Sequence, residues 1–97
     1  MATSSYAWVI SRNIIDGPAG ELASGPRNAA NGDIARLRAG EGLAFRLRDG
    51  DGELYFEGRY LGDQSEDLFG PLDDYGMPGY GCTAIEYQGA DGGWESI

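Results

Sequence analysis

Histidine and lysine are both missing from this chain of 97 residues, and cysteine occurs once, at Cys82. Each absence closes a class of chemistry. Without histidine there is no imidazole to serve as a general base near neutral pH or to ligate a transition metal. A single cysteine allows neither an intrachain disulfide nor a zinc site of the Cys/His kind. Cys82 is therefore expected to be a small buried side chain, since free thiols become reactive only beside cationic groups. No stretch reaches the roughly 18 consecutive apolar residues of a membrane span. The opening MATSSYAWVI has no basic leader and no full apolar segment, so no signal peptide is expected and the expected compartment is the cytoplasm.

What is present suits one small domain, 1–97, with a single core. The 41 % hydrophobic and 24 % charged fractions are ordinary, but seventeen glycines predict many turns and short elements. All seven basic residues are arginine, and the net charge of −9 is unevenly spread. Residues 1–48 hold six arginines and four acids, a sum of +2; residues 49–97 hold Arg59 and twelve acids, a sum of −11. Like charges repel, so direct binding to nucleic acid or to an anionic membrane is not expected. A basic protein surface, such as that of a nucleic-acid-binding protein, would be attracted. The competing reading is that the acids only keep a small protein soluble.

Hydrophobic periodicity predicts the elements. Residues 6–15, YAWVISRNII, read as a buried strand with Trp8 and Ile10 on one face and Val9 on the other. Residues 16–32, with two Gly-Pro pairs, read as loop. DIARLRAG reads as a short helix capped by Asn31 or Asp33, with Ile34 and Leu37 sharing a face and Gly40 ending it. In LAFRLRDGDGELYFEGRYL, Leu43, Phe45 and Leu47 alternate with Ala44, Arg46 and Arg48, and Leu54 and Phe56 alternate with Tyr55, Glu57 and Arg59. Period two on both sides of an Asp-Gly turn is a β-hairpin. It sets Arg46 and Arg48 across from Glu53, Tyr55 and Glu57, so local acids occupy these arginines. Residues 62–81 read as a long acidic loop. CTAIEYQ (82–88) reads as a strand with Thr83, Ile85 and Tyr87 on one face, GADGG as a turn, and WESI as a last strand anchored by Trp94.

The expected fold class is α+β: a mostly antiparallel sheet of four to five strands with one short helix on one face. Its core would draw on Trp8, Ile10, Ile34, Leu37, Leu43, Phe45, Leu47, Leu54, Phe56, Ile85 and Trp94.

No catalytic constellation is visible, and no cofactor or metal site is expected. DGDGE resembles a calcium loop only locally. Counted from Asp49, the sixth position should be glycine and the twelfth a bidentate acid, but they are Leu54 and Tyr60. The acids Asp63, Glu66, Asp67, Asp73 and Asp74 show no ligand spacing. Interleaved with Leu72, Tyr75, Met77 and Tyr80, they read as a partner-binding surface, because tyrosine and methionine are enriched at interfaces. The same apolar groups also suit a mini-core that pins the loop, with Pro71 and Pro78 stiffening it. Both readings together describe a preorganised acidic knob.

WVISRNIIDG, RLRAGEGLAFRLRDGDGELYFEG, PLDDYGMPGYGCTAIEYQ and the terminal WES resemble small acidic uncharacterised proteins of actinobacteria and their phages. The resemblance runs from Trp8 to Ile97 and is weakest over 17–31. It implies a stand-alone cytosolic domain on a mobile element and carries no activity.

The functional expectation is a non-enzymatic module that presses Asp63, Glu66, Asp67, Asp73, Asp74, Tyr75 and Tyr80 onto a basic protein surface. Its concrete form is a phage-encoded DNA-mimic inhibitor of a host defence complex, of the anti-CRISPR or anti-restriction type. The alternatives are a small-ligand or calcium-binding module that uses the same carboxylates, and an accessory domain without an acidic hot spot.

Overall fold

The computed structural model describes residues 4–14, 23–62 and 66–97, leaving aside the side chains of Asn13 and Glu66. The expected loop at 16–32 up to residue 22, the end of the first strand at Ile15, and Asp63 lie outside the described residues.

The fold is α+β. Six strands form one open antiparallel sheet: β1 (Ala7–Asn13), β2 (Ser24–Gly25), β3 (Leu43–Arg48), β4 (Leu54–Leu61), β5 (Ala84–Gln88) and β6 (Trp94–Ser96), in the order β2-β1-β4-β3-β5-β6. The strand count exceeds the expected four to five because the loop after β1 contributes β2. This two-residue strand sets Trp8 opposite Gly25 and Val9 opposite Ser24. No turn chemistry in DGPAGELASGPRNAANG marks so short an edge strand. Among the described residues, no helix is long and apolar enough to cross a membrane.

Helix α1 (Asn31–Arg38) forms where expected but is capped differently. Ala30 is its N-cap, with no side-chain cap bond, and Asn31 lies inside the helix. The carbonyl of Ala30 accepts the amides of Asp33 and Ile34. The C-terminal end is a Schellman motif: Gly40 has φ +95° and donates to Leu37, and Glu41 donates to Arg36.

The sheet separates two environments, as strand alternation requires. On one face, Trp8, Ile10, Phe45, Leu47, Phe56, Tyr60, Ile85 and Tyr87 form the main core. On the other, Ala7 and Val9 pack under Leu37, flanked by Ala29, Ile34 and Leu61. The β3–β4 hairpin forms as predicted. Its turn is held by the Asp49 carboxylate, which accepts the amides of Asp51 and Glu53, both at 2.9 Å. These donors hold the Asp49 carboxyl below its ordinary value, the Glu53 amide contributing most.

The expected core needs two corrections. A bulge follows Leu47: Leu47 pairs with Phe56 but Arg48 pairs with Leu54, leaving Tyr55 unpaired between them. The alternation slips there. Tyr55 packs against the main core, whereas Leu54 belongs to neither apolar cluster. Trp94 is half-buried and lies under the Arg46 guanidinium, 3.9 Å from its ring centroid, outside both clusters. Tyr60, Leu72, Cys82 and Tyr87 fill the core instead. Cys82 is buried as expected, and burial pushes its thiol up to about 11.

The larger departure is the segment expected to be a loop. It is a chain of short helical turns: a 3-10 turn (Glu66–Phe69), a π-helical turn (Leu72–Gly76) and α2 (Met77–Tyr80). Gly81, with φ +72°, ends it and donates to Met77. Proline and glycine usually punctuate helices. Here Pro78 sits in the first turn of α2, a position that proline favours, directly after the π-helical turn. The glycines permit close approach to the sheet. A Cβ at Gly70 would lie 2.4 Å from the Tyr6 ring, and one at Gly76 would lie 3.0 Å from Leu47 Cδ1. The result is a helical cap over the main core.

Candidate functional site

The cap carries most of the residues expected to bind a partner, and they differ in what holds them. Glu66 opens the 3-10 turn. Asp67 is half-buried and accepts the Ser5 hydroxyl at 2.8 Å. Asp73 is exposed in the first π-helical turn. Asp74 is an anchor: its Oδ2 accepts the Tyr6 hydroxyl at 2.6 Å and the Trp8 indole N–H at 3.1 Å. The Trp8 donor belongs to a side chain only 3 % exposed, so the Asp74 bond satisfies a group otherwise left without a partner. The Tyr6 hydroxyl is pushed above its ordinary range, by burial first and by its bond to Asp74 second. The cap is thus tied to Tyr6 and to Trp8 of β1 through Asp74, a residue expected to face a partner.

The tyrosines form the apolar part. Tyr75 packs against Phe56 and Trp8, with ring centroids 5.1 and 5.4 Å apart. Tyr80 lies edge-on to Phe56 at 4.7 Å and 5.2 Å from Tyr75. Tyr75 is half-buried and Leu72 buried, whereas Tyr80, Met77 and Phe69 are exposed. The pinning and the display expected of Leu72, Tyr75, Met77 and Tyr80 are divided among them: Leu72 and Tyr75 pin, Met77 is exposed, and Tyr80 does both, resting one edge on Phe56 while 39 % exposed; Phe69 adds a further exposed ring. Tyr87 ties the cap from below by donating to the Leu68 carbonyl at 2.7 Å.

Four of the seven arginines are paired, among the described residues, with acids away from the cap. Arg46 and Arg12 both reach Glu57, at 3.2 and 3.3 Å, and Arg36 pairs with Glu41 at 3.3 Å. Arg46 thus finds an acid of the hairpin as expected, whereas Arg48 pairs with Glu86 on β5 at 2.7 Å. Among the described residues, no ion pair involves an acid of the cap. No group of three Asp, Glu or Cys side chains among the described residues could hold a metal ion.

Beside the cap a cleft of about 530 Å³ opens between Ala23–Asn28 and Asp74–Tyr75, with Trp8 also lining it. Arg27 and Asn28 were not singled out by the sequence, which gives no sign that the chain after β2 faces a segment almost fifty residues later. No family model, no curated protein and no solved structure matches this chain.

Proposed function

We propose that this protein is a non-enzymatic cytoplasmic binding module whose helical cap docks on a basic protein surface. The supporting observation is the contrast in charge between cap and strands. Arg12 on β1, Arg46 and Arg48 on β3 and Arg36 on α1 are neutralised by neighbouring acids, whereas the cap holds Asp67, Asp73 and Asp74 and no arginine follows Arg59. Exposed Phe69, Met77 and Tyr80 sit in the same segment. Acids steer and select a basic partner, and exposed aromatic and methionine side chains supply contact area. In its finer form, the partner is a nucleic-acid-binding protein of a host defence complex, and the module is a phage-borne mimic of DNA.

The test is capture from lysate of the source cells, followed by competition. The expected result is a basic partner released by salt, displaced by duplex DNA, and bound at least tenfold more weakly by Asp73→Asn combined with Met77→Ser (about 1.4 kcal/mol or more). Both positions are exposed, so the double variant keeps its fold. A captured protein that holds this variant as tightly as the parent, or no specific capture, overturns the reading. Salt-released binding that DNA does not displace overturns only the mimicry.

A further inference from the structure

The cleft beside the cap offers chemistry that docking does not use. Its two walls bring opposite charges: Asp74 on the cap and Arg27 on the turn after β2. Among the described residues, Arg27 makes no ion pair. Between the walls lies half-buried Tyr75, backed by Trp8, which is only 3 % exposed at the base of the cleft. The Trp8 ring is fixed from two sides, by its N–H bond to Asp74 and by Gly25, where a Cβ would lie 2.5 Å from its Cζ2. A rigid aromatic floor needs little ordering when a ligand arrives. The volume falls within the range of small-molecule sites, roughly 300–1,000 Å³.

Charge decides the class of ligand. A plain cation would meet Arg27, and a plain anion would meet Asp74 within a chain of net charge −9. A neutral ligand would desolvate both walls and repay neither. A zwitterion offers its ammonium to Asp74 and its carboxylate to Arg27, and a flat apolar body between them covers the aromatic floor. From this geometry we infer that the cleft binds a small zwitterion with a planar apolar side chain, of the size and kind of a free aromatic amino acid.

The two tryptophans supply the test and its control. Trp8 lines the cleft, while Trp94 lies under Arg46 on the opposite face of the sheet. In a proton–nitrogen correlation spectrum, titration with L-phenylalanine to millimolar concentration should move the Trp8 indole signal and leave that of Trp94 in place. Phenethylamine and 3-phenylpropionate, each lacking one charge, should bind about tenfold more weakly, as loss of one charge-assisted bond predicts. Arg27 is exposed, so Arg27→Gln keeps its fold. It should weaken L-phenylalanine at least to the level of phenethylamine, while phenethylamine, relieved of a like charge, should bind no more weakly than to the parent. A motionless Trp8 signal, equal binding of all three probes, or an unaffected Arg27→Gln variant would each overturn the inference. Neither Arg27 nor these probes enters the partner-capture experiment, so the two readings fail separately.

Discussion

The two faces of the sheet handle charge and aromatic surface in opposite ways. The face bearing Arg46, Arg48, Glu57 and Glu86 neutralises itself: strand alternation sets acids beside bases, and Arg46 and Arg48 each find a carboxylate within 3.2 Å. The other face buries its aromatic side chains beneath a cap that carries acids alone. Aspartate does three jobs in this chain. Asp49 closes a turn, Asp74 anchors the cap, and Asp73 faces solvent. Net charge alone distinguishes none of these.

The sharpest way to break the comparison uses neighbours on β4. Phe56 is fully buried and touches Tyr75 and Tyr80, whereas Glu57 points to the arginine face. Phe56→Ala removes the floor on which the cap rests and should cost about 3–5 kcal/mol in denaturant unfolding. Glu57→Gln should cost about 1 kcal/mol or less, since its arginine partners remain solvated. Equal losses would mean that the faces do not differ as described.

This hairpin was also the most legible part of the chain. Alternation on both sides of DGDG gave its strands and the faces of Phe45, Leu47 and Phe56, because burial on one side enforces period two. The position of Trp8 and Ile10 opposite Val9 followed from the same rule. Legibility failed where tertiary contacts override local signals. The bulge at Tyr55 leaves no mark in composition, so Leu54 and Tyr55 exchanged their expected environments. Trp94 read as a core anchor by size alone, yet its partner is the guanidinium of Arg46. The cap read as loop because Gly70, Pro71, Gly76 and Pro78 are punctuators, although two of these glycines are where the cap meets the sheet. Of the candidate site, its acids and tyrosines were visible in the sequence. The bonds from Tyr6 and Trp8 to Asp74 span more than sixty residues and were not.

A second contrast sets adjacent aspartates against each other. Asp74→Ala strands the buried Trp8 N–H and should cost about 1–3 kcal/mol. Asp73→Ala, at an exposed position, should stay within about 0.5 kcal/mol. Asp74→Asn keeps a neutral acceptor and should recover part of the loss. Thermal melts of the three variants measure this, and equal midpoints for Asp73→Ala and Asp74→Ala would remove Asp74 as the anchor.

On the arginine face, Arg46→Ala removes both the Glu57 pair and the stacking on Trp94. The expected loss is about 1 kcal/mol, part of it screened at high salt. Trp94 fluorescence should change while Trp8 indole signals hold. A loss as large as that of Phe56→Ala would show that this face, too, carries the fold.

The smallest contrast at neutral pH grows in alkali. Tyr6 and Tyr87 both hold their protons more tightly in the folded chain than the ordinary tyrosine value of 10.0, each chiefly because of burial. Their raised folded values make the sign definite. The stability they contribute is fully present below 10.0 and is lost as the pH rises beyond it, because the unfolded chain releases these protons first. For Tyr6 the cause is local as well: a tyrosinate would set a second anion against the Asp74 carboxylate and lose the 2.6 Å donor. Cys82, its thiol pushed by burial from 9.0 up to about 11, loses its contribution in the same direction, so denaturation midpoints should stay nearly flat from neutral pH towards 9.0 and fall above it, more steeply beyond 10.0. In Tyr6→Phe the fall should be shallower, although the variant starts from a lower stability. No ion pair of the arginine face involves a tyrosine, so Glu57→Gln should leave the alkaline slope unchanged. If Tyr6→Phe falls as steeply as the parent, the alkaline sensitivity lies in Tyr87 and Cys82 beneath the cap, and the Tyr6 clamp contributes only its hydrogen bond.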